Sequence, residues 1–176
     1  PTAVYFIFTL FSNLQVGVRH ILPIYPLCFI IAARSVYLLR HRFFKVVVFL
    51  LCLWYLFSSL SIWPHYLSYF NEFAGGPNNG WKYLRDSNID WGQDLPALKV
   101  YMEKSNIDKI KLLYFGEGNP GIYGIAYDVI SKDERTKPSS DIYAISVQYL
   151  DSVGWAKRYK PSAKAGYSIF IYDFRK

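Results

Sequence analysis

Acidic residues are absent from the first 70 positions of this sequence. That stretch carries five basic residues, whereas residues 71–176 carry fifteen basic and thirteen acidic residues, so the net charge of +7 divides into +5 and +2. Because the basic excess is concentrated in the apolar half, it does not indicate a nucleic-acid-binding surface, and no nucleic-acid partner is expected. Such a distribution is typical of membrane topology instead.

Cysteine is scarce as well. Cys28 and Cys52 are the two cysteines, and both lie in apolar runs. A disulfide framework and a cysteine metal site are therefore not expected, and both thiols are interpreted as small buried hydrophobic groups. The sequence also lacks a charged segment followed by a small-residue cleavage site, so its apolar start does not indicate a signal peptide. We interpret the chain as the carboxyl-terminal part of a longer membrane protein.

Long apolar runs dominate the first 62 residues. The runs at about 21–39 and 43–62 are each long enough to cross a bilayer as helices, and residues 1–12 are interpreted as part of an earlier span. The loop at 40–45 carries three basic residues, so the positive-inside rule places it in the cytoplasm and the chain after residue 62 on the other side. These patterns predict a multi-pass protein of the cell inner (plasma) membrane with an extracytoplasmic carboxyl-terminal domain.

The pattern of the sequence changes after residue 62. Aromatic residues at helical spacing, followed by a glycine-rich turn, predict an interfacial helix and linker over 63–80. Residues 81–176 show the periods of an α/β domain, with helices over 94–105 and 152–161, a charged loop over 132–140, and strands over 109–116, 141–150 and 166–174. The expected fold class is thus a multi-pass α-helical membrane region followed by a small α/β extracytoplasmic domain.

The stretch DSNIDWGQDL concentrates polar side chains at the start of this domain. Its aspartates partly match a calcium loop, but Trp91 stands where that loop needs glycine and Ala97 stands where it needs glutamate. Three interpretations remain: an irregular divalent-cation site, capping of a turn and a helix start, or a polar surface that binds an acceptor. The candidate residues for acceptor or cation binding are Asp86, Asn88, Asp90, Trp91, Gln93 and Asp94, and whether a metal binds there is unknown.

The segment GEGNPG, residues 116–121, matches the letter pattern of a dinucleotide-binding loop. Pro120 stands where a helix would begin to donate backbone N–H groups to a pyrophosphate, and Asp141 precedes a predicted strand rather than ending one. A loop rich in turns is the better interpretation, so no nucleotide cofactor is expected.

Two basic residues precede the 21–39 run, on the side of the membrane that the positive-inside rule depletes of basic residues. Arg19 and His20 lie directly before a helix start that contains two prolines. A guanidinium at a bilayer surface is suited to bind a lipid phosphate bidentately, and an ordinary interfacial anchor is the alternative. We therefore treat Arg19 and His20 as candidate lipid-phosphate-binding residues.

Three strings together resemble a known family: GVRHILPIYP, IWPHYLSYFNEFAGGPNNGWKYLRDSNIDWGQDLPALK and the closing GYSIFIYDF. They are similar to the carboxyl-terminal part of bacterial polyprenyl-phosphate-sugar-dependent glycosyltransferases, relatives of the protein O-mannosyltransferases and the aminoarabinose transferase. The resemblance runs from about residue 13 to residue 174. It implies a GT-C membrane architecture and a reaction on the extracytoplasmic face.

The resemblance also implies an acidic catalytic residue in a first outer loop, which this chain does not contain, so it assigns no catalytic residue here. The expected function is that of a fragment of an integral-membrane glycosyltransferase, which transfers a sugar from a polyprenyl-phosphate carrier to a saccharide, lipid or protein acceptor. A divalent cation is possible, and no other cofactor is expected. The alternative is a non-catalytic, membrane-anchored module that binds a saccharide or a partner.

Overall fold

The computed structural model describes residues 2–11, 21–85 and 88–175. The chain divides into two compact units, Pro1–Trp63 and Pro64–Lys176. The first unit contains three α-helices in its described part, and a six-residue 3₁₀ helix, Ser35–Arg40, continues the second of them. The α-helices are α1 (Thr2–Leu10), α2 (Ile24–Arg34) and α3 (Arg42–Ser61).

Helix α3 is 20 residues long, with a mean hydropathy of 2.1 in its most apolar window. At 1.5 Å per residue it measures about 30 Å, close to the thickness of a bilayer core. Within the described residues it is the single helix that meets the requirements of length and composition for crossing a membrane.

The prediction of a multi-pass helical region is therefore wrong for the described part of the chain. The run at 21–39 does not form one long α-helix, because α2 ends at Arg34 and the N–H of Ser35 bonds back to the carbonyl of Ala32, three residues earlier. That bond tightens the last turn into a 3₁₀ helix. Helix α2, with 11 residues, is only about 16 Å long. The average hydropathy of a window does not reveal such a break in an α-helix. The finding is a small α/β protein with one candidate membrane helix.

The second unit is built on a five-stranded mixed sheet in the order β2-β1-β3-β5-β4. Strand β1 runs parallel to β2 and β3, whereas β5 runs antiparallel to β3 and β4. The strands are β1 (Lys109–Leu113), β2 (Ala126–Val129), β3 (Ile142–Ser146), β4 (Ala163–Ala165) and β5 (Ile169–Asp173).

Both faces of the sheet are covered, which explains why β3 is buried at every position. On one face, helix α5 (Leu95–Lys104) packs its apolar side chains, spaced three and four residues apart, against alternate residues of β3 and β5. The four-residue helix α4 (Pro77–Gly80) precedes α5 (Leu95–Lys104) in the chain. The apolar residues that α5 contributes are Leu95, Leu98 and Met102.

The other face is covered by residues 147–160, which form a 3₁₀ helix (Val147–Ser152) followed by turns centred on Trp155. Its ring lies edge-on to Tyr143 and Tyr172, each at 5.2 Å between centroids, and its Nε1 donates to the carbonyl of Glu134 at 2.7 Å. Tyr172 donates its hydroxyl to the carbonyl of Ala156 at 3.0 Å, and burial raises the pKa of Tyr172 to about 12. These bonds satisfy the polar ends of large aromatic side chains inside the core.

The three predicted strands and the predicted helix at 94–105 are confirmed, with shorter bounds. Strands β2 and β4 were not predicted, because one is an exposed edge strand and the other has only three residues. The expected helix at 152–161 is a series of turns, and the expected loop at 132–140 begins with a short helix, α6 (Lys132–Thr136), that has a capping box. Over 63–80, where an interfacial helix was expected, the structure has two three-residue 3₁₀ helices and α4.

Candidate functional site

The described part of DSNIDWGQDL lies at the carboxyl ends of β1 and β3. From β1 the chain continues to β2, which lies on one side of β1. It then crosses to β3, which lies on the other side of β1, so the topological switch point is between β1 and β3. Ligands of α/β sheets bind at such switch points. Tyr114, which follows β1, donates its hydroxyl to the carbonyl of Gly92 at 3.0 Å, and Ser146, which ends β3, donates to Asp90. The segment is thus fixed to both strands at this point.

Asp90 is a buried carboxylate with internal hydrogen-bond donors on both oxygens. Its Oδ1 accepts from the N–H of Gly92 at 2.8 Å, and its Oδ2 accepts from the hydroxyl of Ser146. Burial raises the pKa of Asp90 above its usual range, and the nearby carboxylate of Asp94 adds to this effect. The two hydrogen bonds act in the opposite direction. The bond to Gly92 closes an Asx-turn, as the capping interpretation of the sequence predicts.

Asp94 organises the turn that leads into β5. Its Oδ2 accepts three hydrogen bonds of 2.9 Å, from the N–H groups of Tyr167 and Ser168 and from the hydroxyl of Ser168. Gly166 has a φ of +58° beside it, and a Cβ at that position would overlap the carboxyl group of Asp94. The carboxylate of Asp94 makes no cap bond to α5, which was one of the expected roles. Asp94 instead accepts hydrogen bonds from the turn that precedes β5.

His65 joins the hydrogen-bonded group formed by Asp94, Tyr167 and Ser168. Its Nδ1 lies 3.2 Å from Oδ1 of Asp94, and its ring is edge-on to Tyr167 at 5.4 Å between centroids. Its side chain is 29% exposed, whereas that of Asp94 is 1% exposed. A carboxylate at Nδ1 favours a proton on that nitrogen and leaves Nε2 as an acceptor. This arrangement can orient a histidine base, and it can equally fix the start of the second unit to the sheet.

The amide side chains of the segment also form hydrogen bonds with backbone groups. Gln93 donates to the carbonyl of Ile89 at 2.7 Å and accepts from the N–H of Trp91 at 2.8 Å. Asn88 donates to the carbonyl of Arg85 at 3.2 Å. Trp91 is 54% exposed and is the one exposed side chain among the described residues of the segment. Of the predicted surface for an acceptor, its indole is therefore the part that a ligand can reach.

The structure brings Asp90 and Asp94 close together near Ser168, whereas Gln93 bonds to Ser68 and to the backbone of its own segment. Arg19, His20 and Asp86 lie outside the described residues. All four carboxylate oxygens of Asp90 and Asp94 have an internal N–H or O–H neighbour. Among the described residues there is no group of three His, Cys, Asp or Glu side chains with the geometry of a metal site. A divalent cation bound with the help of Asp86 stays a prediction.

Sequence reasoning missed the partners of the two aspartates: His65, Ser146 and Ser168. The serines lie at the end of β3 and just before β5, where a hydroxyl is an ordinary strand-end residue, so no local pattern distinguishes them. His65 lies among aromatic residues of the 63–80 segment, a pattern that does not indicate a contact with an aspartate. Only the folded structure reveals the contacts of His65 and Ser168 with Asp94, which are 29 and 74 positions away in the sequence, and that of Ser146 with Asp90.

The loop after β1 does not have the geometry of a dinucleotide site. A four-residue 3₁₀ helix, Pro120–Tyr123, stands where the fingerprint requires a long α-helix, and an edge strand, β2, follows it. Such a short turn lacks the aligned N–H groups that bind a pyrophosphate. The interpretation as a turn-rich loop is confirmed.

The fold and this site define a small α/β unit with a mixed five-stranded sheet, in a chain that also carries one candidate membrane helix. No family model, curated protein or solved structure matches the chain.

Proposed function

We propose that this chain is part of a membrane-anchored glycosyltransferase that transfers a sugar from a polyprenyl-phosphate carrier to an acceptor on the extracytoplasmic face of the inner membrane. The observation that carries the proposal is the placement of DSNIDWGQDL, the string on which the family resemblance mainly depends. Its described polar residues hold the switch point of the sheet together through specific internal bonds. Because these bonds give the string a structural role, a resemblance in this string supports a resemblance in the fold of the whole unit.

In this proposal the α/β unit positions a ligand and does not supply the catalytic acid. Asp90 and Asp94 are buried, and their oxygens are occupied by internal donors. A general base must instead reach the substrate, and a metal ligand must have an oxygen free to bind the ion. The acidic residue that the resemblance implies belongs to an outer loop that this chain does not contain. The unit would cover the reaction site or hold the saccharide, lipid or protein acceptor.

The same burial of Asp90 and Asp94 favours a second candidate, a membrane-anchored module that binds a saccharide or a partner without catalysis. Both candidates use the exposed indole of Trp91 at the switch point as a binding surface. They differ in whether the polyprenyl-phosphate sugar is consumed.

The test is a transfer assay with the complete membrane protein that contains this chain, reconstituted in liposomes with a radiolabelled polyprenyl-phosphate sugar. The proposal expects the label to leave the carrier and appear in an acceptor. A Trp91→Ala variant should retain the fold and lose at least about tenfold in acceptor affinity, whereas Lys104→Ala, an exposed change on α5, should behave as the unchanged protein. Binding of saccharide without consumption of the carrier would favour the module. If the protein neither binds the saccharide nor transfers the sugar, both candidate functions are wrong.

A further inference from the structure

A cleft of about 400 Å³ lies beside β5, away from the DSNIDWGQDL segment in sequence and lining residues. Three separate stretches of the second unit form it: 78–85, 150–161 and 164–172. We name it the basic cleft, because its described lining includes five cationic side chains and no acidic one. The cationic residues are Lys82, Arg85, Lys157, Lys160 and Lys164.

Aromatic rings form one wall of the basic cleft, and cations lie against them. Trp81 and Phe170 pack edge-on at 5.2 Å between centroids. The Nζ of Lys164 lies 4.7 Å from the centre of the Phe170 ring and 5.9 Å from that of Trp81. Arg85 approaches the Trp81 ring at 5.5 Å. An aromatic wall with cations lying over its rings presents apolar surface and a positive field to the same ligand.

The charges of the cleft are only partly neutralised by the protein. Arg85 and Lys157 both pair with Asp151, at 2.6 and 3.0 Å. Lys164 and Lys82 instead donate to neutral oxygens, the carbonyl of Asn78 at 3.0 Å and the side chain of Asn79 at 2.7 Å. Two ammonium groups held at neutral acceptors in one cleft repel each other, and an anion between them would remove that repulsion.

The position of Lys164 supports this point. Its side chain is half-buried between the aromatic rings, and burial lowers the pKa of Lys164, with a further lowering from the charge of Lys82. Keeping a lysine in such a place costs stability unless it serves an interaction. The bound anion would restore the ordinary preference of both groups for the charged form.

We propose that the basic cleft binds the phosphate group of a phosphorylated saccharide, either free or attached to a lipid, with the sugar ring against Trp81. Lysine and arginine side chains are the usual partners of a phosphate, and a flat aromatic ring offers an apolar surface to the C–H face of a sugar. The proposal is independent of transferase activity, since a binding module would use the same cleft. It can fail while sugar transfer is observed, and it can hold when no transfer occurs.

The test measures the affinity of the full chain for glucose 1-phosphate by isothermal titration calorimetry, with the protein in nanodiscs of neutral lipid. The variant Lys82→Met with Lys164→Met should bind at least about tenfold more weakly, because it removes both ammonium groups. Lys104→Met removes one exposed positive charge outside the cleft and should bind as the unchanged chain does. Equal affinity of all three proteins would overturn the proposal.

A second variant guards against loss of folding. If the double substitution at Lys82 and Lys164 unfolds the protein, Lys82→Met with Lys160→Met changes two exposed positions of the same cleft. It should also weaken the binding of glucose 1-phosphate by several fold. Unchanged binding by this folded variant would overturn the proposal.

Further probes separate the sources of the phosphate. Uncharged glucose should bind at least about tenfold more weakly than glucose 1-phosphate, and inorganic phosphate should compete with it. If nanodiscs containing an anionic phospholipid also compete, and Lys82→Met weakens that competition, a lipid headgroup shares the cleft. Binding of a short oligonucleotide but not of glucose 1-phosphate would contradict the proposal, as would equal binding of glucose and glucose 1-phosphate.

Discussion

Helix α3 and strand β3 contain similar apolar and aromatic residues in opposite environments. Phe49 and Phe57 of α3 are 61% and 73% exposed, whereas Tyr143 and Ile145 of β3 are fully buried. Helix α5 covers β3 on one face of the sheet, and the segment around Trp155 covers it on the other face. Burial of a large apolar side chain contributes about 1.5–3 kcal/mol, and the protein itself supplies that contribution to β3 but not to most of α3.

This contrast locates the physical basis of the proposed anchoring. A helix with a continuous apolar surface around its circumference is stable when another apolar medium covers that surface. The lipid would do for α3 what the core does for β3. Hydrophobicity alone does not separate the two cases, since both sequences are apolar. The separation comes from whether other parts of the same chain pack against the element.

Two charges in the middle of α3 test this comparison with the largest expected effect. Leu50→Arg with Leu51→Arg should shift the chain from the membrane fraction to the soluble or aggregated fraction, as measured by liposome flotation. Each arginine costs about 2.5–3.5 kcal/mol at the centre of a membrane helix, so the pair costs about 5–7 kcal/mol. The second unit should keep its near-ultraviolet circular dichroism, because α3 lies in the other unit.

The control for this variant is Phe73→Arg, where the wild-type side chain is 88% exposed in the second unit. It should leave both the flotation and the circular dichroism unchanged. If the double arginine variant still floats with the liposomes as the unchanged chain does, α3 is not the anchor.

Gly166→Ala tests how tightly the buried part of the comparison is packed. A residue with a side chain at Gly166 must adopt a positive φ and also place its Cβ against the carboxyl group of Asp94. The first effect costs about 1–2 kcal/mol, and overpacking adds about 1–3 kcal/mol. We expect the free energy of urea unfolding of the second unit to fall by about 2–5 kcal/mol.

Gly124→Ala is the matched control for the backbone. Gly124 also has a positive φ, of +68°, but its Cβ would meet only the end of the flexible Lys99 side chain, at 3.7 Å. It should therefore show the backbone cost alone. Equal losses at Gly124 and Gly166 would mean that contact with Asp94 has no part in fixing the turn.

Much of the second unit follows from local patterns in the sequence. The short continuous apolar runs of β3 and β5 and the spacing of Leu95, Leu98 and Met102 predict the central strands and α5, because both faces of these strands and one face of α5 are buried. Edge strands such as β2 and β4 bury less and were missed. The break of α2 at Arg34 was missed for another reason, since the average hydropathy of a window does not report how backbone hydrogen bonds are arranged.

The candidate site was less predictable than the fold. The sequence identified Asp90, Gln93 and Asp94 as an unusual cluster, and an Asx-turn at Asp90 was among the expected structures. It did not indicate that Asp94 serves a turn 73 residues further on, at Tyr167. The basic cleft has no sequence motif at all, because its lining comes from three stretches that meet only in the folded unit. Sites assembled from distant segments require the tertiary fold.

A pair of aspartates provides the finest test of how environment changes similar groups. Burial raises the pKa of Asp90, whereas Lys157 and Arg85 lower the pKa of the exposed Asp151, both from an ordinary value of 3.8. A raised pKa means that the folded state binds the proton more tightly than the unfolded state does. Asp90 therefore contributes stability below its ordinary pKa, and this contribution is lost as the pH rises through its folded value. For Asp151 the contribution is present above the ordinary pKa and is lost as the pH falls through its folded value.

Substituting each aspartate by asparagine should then change the pH dependence of unfolding in opposite directions. Relative to the unchanged chain, Asp90→Asn should be least stable near pH 3 and should recover as the pH rises toward 7, because the unchanged chain alone loses the contribution of protonated Asp90. The stability difference between Asp151→Asn and the unchanged chain should be small, because solvent screens the exposed ion pairs of Asp151. It should disappear as the pH falls, because protonation of Asp151 in the unchanged chain breaks those pairs. Urea titrations followed by tryptophan fluorescence over this pH range measure both slopes. Slopes of the same sign would contradict the assignment, because only opposite shifts of the two pKa values produce opposite slopes.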